Sequence, residues 1–184
     1  MPILIAYASR YGSTRDIAEA VARVLRERGM AVDVRPAGEV VRLEGYHAVV
    51  LGSALYSGGW LEDARELLES FQDELAELPV WLFSSGPTTP GDPVEALAGW
   101  RYPEELRGLI TSLRPRDVAL FAGKLDPDTL NLQDWLINRS MRGVSGDFRD
   151  WARIEAWAAR LADQLEAGTA GAVADAPAVV RDAN

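Results

Sequence analysis

Short apolar runs alternate along this chain with segments whose apolar residues recur every three or four positions. That alternation limits the possible folds more than any other feature. Ile3-Leu4-Ile5-Ala6-Tyr7 and Ala48-Val49-Val50-Leu51 read as strands buried on both faces, and Val80-Trp81-Leu82-Phe83 and Asp117-Val118-Ala119-Leu120-Phe121-Ala122 as two further strands. Ala31-Val32-Asp33-Val34 carries a charge and reads as a more exposed strand. Between the strands lie helical stripes. One runs through Ile17, Val21, Val24 and Leu25 and stops at Gly29. A second is expected to be one long helix through Leu61, Ala64, Leu68, Phe71, Leu75 and Leu78, ended by Pro79. A third follows Pro103 through Leu106, Leu109, Ile110 and Leu113. The last starts at Asp150, a suitable N-cap, and continues through Ile154, Trp157, Leu161 and Leu165. Strand and helix in alternation predict an α/β fold with a parallel sheet and right-handed crossovers.

The 184 residues fit one domain, assigned to residues 1–167, with 168–184 expected as a flexible tail rich in Ala, Gly, Val and Asp. The net charge of −9 argues against a nucleic-acid backbone as partner and leaves small molecules and basic protein patches. The absence of cysteine excludes disulfides, thiolate metal sites and a Cys nucleophile, and no metal site is expected. His47 is the sole histidine and precedes a buried strand, so it reads as a surface or core residue rather than a catalyst. No integral membrane segment and no signal peptide are read, and a cytoplasmic location is expected.

In an open parallel sheet, ligands bind beyond the C-terminal strand ends. Three loops leave such ends here: Ser9–Thr14, Ser53–Trp60 and Ser84–Pro93, each rich in Ser, Thr and Gly. The first runs into a helix, where free amides and the helix dipole favour an anion. Ser9, Ser13 and Thr14 add hydroxyl donors, and Gly12 allows the backbone to close round a phosphate. Plain helix capping is the alternative, but it needs one Ser or Thr rather than three with an arginine beside them. The chain has neither a G-x-x-x-x-G-K-[ST] loop nor a G-x-G-x-x-G after the first strand.

Ser9-Arg10-Tyr11-Gly12-Ser13-Thr14, Gly52-Ser53-Ala54-Leu55-Tyr56-Ser57-Gly58-Gly59 and Ser84-Ser85-Gly86-Pro87, in this order and at these strand ends, resemble the flavodoxin family. The resemblance covers roughly Pro2 to Ala167. It implies a three-layer sandwich with a five-stranded parallel sheet of order 2-1-3-4-5 and FMN at the switch point. It also implies that Ser9, Arg10, Tyr11, Gly12, Ser13 and Thr14 hold the FMN phosphate. Ser53, Ala54, Leu55, Tyr56, Ser57 and Gly58, with Ser84, Ser85, Gly86 and Pro87, would then flank the isoalloxazine ring.

Within the family the chain is similar to the quinone-dependent protoporphyrinogen oxidase branch. The likeness rests on the first loop, on Gly52–Tyr56, and on an extra segment that opens at Ala122-Gly123-Lys124-Leu125-Asp126 and closes at Asp150-Trp151. By this resemblance Tyr56 stacks on the ring and Trp60 lies near its edge, although both also suit plain caps over the third strand. A backbone group of Ser57-Gly58-Gly59 would meet flavin N5, and Ser85-Gly86 would offer backbone donors to the pyrimidine edge. Trp81 and Trp157 read as core.

The function implied is an FMN oxidoreductase passing electrons or hydride between an organic substrate and a quinone-like or protein acceptor. The alternative is a one-electron carrier docking on redox partner proteins, which the acidic charge favours. A third reading is an interaction module that has the fold and no flavin. The stretch Leu130–Gly143 would serve as a lid, a substrate lip or a plain connector. Gly86–Trp100 is a second long loop beside the ring site.

Overall fold

A computed structural model describes residues 1–131 and 145–174, with side chains through Gly168. Five parallel strands form the sheet: β1 (Ile3–Ala8), β2 (Val32–Pro36), β3 (Ala48–Tyr56), β5 (Val80–Ser85) and β6 (Asp117–Phe121), in the order β2-β1-β3-β5-β6. This is the expected 2-1-3-4-5 order with one addition, because a two-residue arm, β4 (Gly59–Trp60), folds back antiparallel on the end of β3. Beyond β6 a second small ladder pairs β7 (Lys124–Leu125) with β8 (Gly146–Asp147).

Alternate residues of each strand feed two cores. Ile3, Ile5, Val50, Trp81, Phe83 and Phe121 pack under α1 (Ser13–Glu27) and α6 (Trp151–Ala174). Leu4, Ala6, Val49, Leu51 and Leu82 face α2 (Glu62–Ser70), α3 (Gln72–Ala76) and α5 (Arg107–Leu113). Both faces are covered, so the inner strands carry almost no polar residues. β2 lies at the edge and is only half-buried. Phe83, Phe121 and Trp157 meet at tilted or edge-on angles with centroids 5.6–6.0 Å apart. The indole N–H of Trp157 donates to Asp117 and that of Trp81 to Gln164, each at 2.9 Å, which places both tryptophans in the core as expected.

The stripe from Leu61 to Leu78 keeps its inward face but not one axis. Phe71, at φ −115° and ψ 26°, leaves the helical region and splits the expected helix into α2 and α3. The i→i−4 bonds from Phe71 to Leu67 and from Leu75 to Phe71 persist across the joint, so this is a bend rather than a stop. Asp150 caps α6 by accepting the Arg153 N–H at 3.1 Å. That helix continues to Ala174, and residues 175–184 lie outside those described.

The register brings the loop starts together. Ala8 lies opposite Ser53, Ser53 opposite Ser84, and Ala54 opposite Ser85. The three Ser-rich loops therefore leave the sheet side by side. Gly52 makes this alignment possible, because the Phe83 ring lies across it on the adjacent strand. A Cβ at Gly52 would fall 2.0 Å from Phe83 Cζ.

Candidate functional site

The first loop is built as a polar cradle with groups left over. The N-cap of α1 is Gly12, at φ +85°, and no side chain caps the helix. The capping alternative therefore fails for every Ser and Thr of this loop, and the first amides of α1 have no side-chain acceptor. Thr14 is fully buried, and its Oγ1, together with the buried Oγ of Ser9, has no hydrogen-bond partner. These are the two such buried side-chain atoms among the described residues. A buried hydroxyl left unpaired costs about 1–3 kcal/mol. Two of them beside a bare helix start suit a bound anion. Ser13 differs: its Oγ accepts the Lys124 N–H at 3.1 Å, which ties the loop to the start of β7.

In the other two loops, Ser53 and Ser84 spend their hydroxyls inside the protein. Ser53 Oγ accepts the Leu61 N–H and donates to the Ala54 carbonyl, both at 3.0 Å. Ser84 Oγ accepts from Trp60 Nε1–H at 2.8 Å and donates to the Arg101 carbonyl at 2.6 Å. Trp60 is buried with its polar edge occupied, as a cap over the third strand would be. The N–H of Gly86 donates to the Phe121 carbonyl at 3.0 Å, so the backbone donor expected of it is already engaged. Gly86 itself packs against Leu55, with Pro87 half-buried after it.

β3 and β4 are joined by Ser57 and Gly58, at φ +51° and +84°. Two positive φ values make the primed turn that a two-residue hairpin needs. Just before the turn, half-buried Tyr56 carries the Arg10 guanidinium over its ring, 4.5 Å from the centroid. The same guanidinium lies 5.9 Å from the Tyr11 centroid. The first and second loops are thereby joined across the mouth of the site.

A staple with no signature in the sequence fastens the β7–β8 ladder to the cradle. The Arg149 side chain, only 6% exposed, donates from Nη1 to Asp16 in the first turn of α1 at 3.0 Å. Its Nε and Nη2 donate to the two carboxylate oxygens of Asp147, at 2.8 and 2.6 Å. Its guanidinium also lies 4.6 Å from the centre of the Trp151 ring. Hydrogen bonds from Arg149 hold the Asp147 carboxyl below the usual carboxylate range, against the opposing effect of its partial burial.

A second staple holds the long loop after β5. Asp92 accepts the Val94 N–H at the start of α4 (Pro93–Ala96) and pairs with Arg153 of α6 at 3.1 Å. The Val94 amide first, and Arg153 after it, hold the Asp92 carboxyl low. Asp-x-Arg and Asp-Pro pairs are too common in loops to single out either contact.

His47 stands at the opposite end of the sheet, before β3, where its backbone N–H donates to the Pro2 carbonyl at 3.2 Å. No group of three or more His, Cys, Asp or Glu side chains suited to a metal occurs among the described residues. No helix among them is long and apolar enough to cross a membrane. Most of the stretch 130–143, with Leu132, Trp135, Leu136, Arg139, Met141 and Arg142, lies outside the described residues.

A doubly wound sheet of this order, with an anion cradle after its first strand, defines a flavodoxin-like protein. The flavodoxin domain model matches residues 4–150, and the chain belongs to that family, whose cofactor is FMN. Solved structures agree on the fold. The Streptococcus pneumoniae TIGR4 flavodoxin is 19% identical, with 89% of this chain and 99% of that one covered and a TM-score of 0.58. A Pseudomonas aeruginosa flavodoxin variant is 17% identical over 90% and 99%, with a TM-score of 0.56. The rubredoxin oxygen:oxidoreductase of Desulfovibrio gigas is 17% identical with a TM-score of 0.58. There 90% of this chain spans 36% of the larger protein, about a third of its length.

Proposed function

We propose that this chain is an FMN-dependent oxidoreductase that passes reducing equivalents between an organic substrate and a quinone-like or protein acceptor. The observation that carries the proposal is the pair of buried, unpartnered hydroxyls of Ser9 and Thr14 at the uncapped start of α1. In this reading the two hydroxyls and the first amides of α1 bind the FMN phosphate, and Gly12 gives the backbone room to turn round it. Bound FMN would supply the redox chemistry. The chain's part is to place the ring and to exclude water from it. Tyr56 offers a flat apolar face. The Ser57-Gly58 turn puts backbone groups rather than side chains beside the ring. Ser53 and Ser84 hold these loops in place through hydroxyls that already have protein partners.

Two features favour an enzyme over a carrier: the stapled loop after β5 and the stapled β7–β8 ladder stand at the strand ends where a carrier would leave the ring edge open. A protoporphyrinogen-oxidase-like activity is the finer form of this proposal. It is supported by the three loops and by the segment inserted between β6 and the Asp150-capped α6. The acidic balance of −9 supports the carrier reading, through docking on basic redox partners.

The test is an absorption spectrum of the purified protein before and after FMN is added and the protein desalted. Retained flavin bands are expected. Ser9→Ala with Thr14→Ala should weaken FMN binding about a hundredfold, two lost hydrogen bonds to a charged group. Unchanged affinity would remove the phosphate from this loop. Oxidation of protoporphyrinogen with a quinone acceptor would establish the finer reading. Its failure alongside rapid one-electron exchange with a partner protein would favour the carrier.

A further inference from the structure

The sequence groups Arg10 with the phosphate ligands, but the structure puts its guanidinium elsewhere, over the ring of Tyr56. We infer that Arg10 is a positioning residue for the flavin ring: it holds Tyr56 as a preformed flat platform, and it is not a ligand of the phosphate. This inference rests on the FMN reading above.

Three observations carry it. The guanidinium lies 4.5 Å from the Tyr56 centroid and 5.9 Å from that of Tyr11, within the range of a cation–π contact. Arg10 and Tyr56 come from different loops, so the contact bridges the end of β1 and the end of β3 across the site mouth. The cradle also has its own unsatisfied donors, Ser9 Oγ and Thr14 Oγ1, together with the uncapped start of α1, so a phosphate finds its partners without an arginine.

The physical consequence is a division of labour. A tyrosine beside a two-residue turn of positive φ has two rotatable side-chain bonds to fix. A planar cation on its ring limits that freedom, which is what a flat ligand stacking on Tyr56 requires. Order fixed before binding need not be fixed during it, and affinity rises accordingly. In this division Arg10 acts on the Tyr56 ring, and phosphate recognition is left to neutral donors. Lysine is not equivalent here, because its ammonium cannot stack as a plane.

FMN and riboflavin differ by the phosphate alone, and this separates the two roles. Dissociation constants for both flavins would be measured by fluorescence quenching on wild type, Arg10→Met, Tyr56→Leu and the double variant. Arg10→Met is expected to weaken FMN and riboflavin by the same roughly two- to fivefold factor. It is expected to add nothing once Tyr56 is leucine. Arg10→Lys should not restore binding.

A loss confined to FMN, or full additivity in the double variant, overturns the inference and returns Arg10 to the phosphate. The clamp is also read without flavin. In the ligand-free protein, Tyr56→Leu should remove the ring-current shift from the Arg10 side-chain NMR signals, and signals that do not move overturn it. If wild type binds neither flavin, the FMN reading fails, while the NMR result still decides the clamp.

Discussion

The first loop and the two that flank it are made of the same residue types and are built to opposite ends. Ser53 and Ser84 each donate and accept inside the protein, so their hydroxyls are saturated. The Oγ of Ser9 and the Oγ1 of Thr14 are buried and have no partner. A saturated hydroxyl is scaffold: removing it strands a neighbour. An unsaturated one is free to serve a ligand: removing it relieves the free protein and harms only the complex. The division predicts which substitutions cost stability and which cost affinity.

The largest expected effect falls on the scaffold side. Gly52→Ala drives a methyl to 2.0 Å from the Phe83 ring, in a core where that ring is also held by Phe121 and Trp157. We expect a loss of about 3 kcal/mol in urea unfolding of the ligand-free protein. A loss below about 1 kcal/mol would mean that the ring can move and that the strand is not pinned there.

Ser84→Ala comes next. It strands the Trp60 indole N–H and the Arg101 carbonyl together, for about 2 kcal/mol of stability. FMN affinity should change far less than stability does. A variant that stays stable and loses FMN would put Ser84 on the ligand side and break the comparison.

Thr14→Val is the reciprocal case. It keeps the shape, removes the unpaired Oγ1, and should leave ligand-free stability unchanged or slightly higher. FMN affinity should fall about tenfold, or about 1.4 kcal/mol. Equal losses in both would show that Thr14 is scaffold after all.

How much of this was legible in the sequence depends on the range of the interaction. The strands and helices follow from apolar runs and helical stripes, which are local and periodic, while the strand order follows from the resemblance of the three loops to the flavodoxin family. The split at Phe71 was not legible, because a bend that keeps every stripe residue inward leaves the periodicity intact. The anion loop was legible as a surplus of hydroxyls before α1, but which of them would be saturated was not. That depended on Lys124, more than a hundred positions away, whose N–H takes Ser13. The burial of the Trp60 indole was not legible for the same reason. Its partner Ser84 lies on another strand, and only the sheet register brings the two together. Arg10 was grouped with the phosphate ligands by adjacency in the chain, while its contact with Tyr56 depends on two loops meeting.

The smallest expected effect concerns the staple that joins the cradle to the β7–β8 ladder, and here pH separates charge from packing. Arg149 holds the Asp147 carboxyl below its ordinary range, near 3.9 for an unperturbed aspartate. A carboxyl lowered by folding contributes stability above the unfolded value, and loses it as pH falls through the folded one. Asp147 is 41% exposed, so solvent screening keeps the contribution below about 1 kcal/mol at neutral pH. Arg149→Met should therefore be less stable than wild type at pH 7, and the gap should narrow as pH drops below about 4. Urea midpoints at pH 7 and pH 3 read this directly. A gap of the same size at both would assign the loss to the packing of Arg149 on Trp151. Because Arg149 also reaches Asp16 in the first turn of α1, the neutral-pH variant should bind FMN somewhat more weakly. Undisturbed affinity would show that the cradle keeps its shape without the ladder, and that its two unpaired hydroxyls depend on the helix alone.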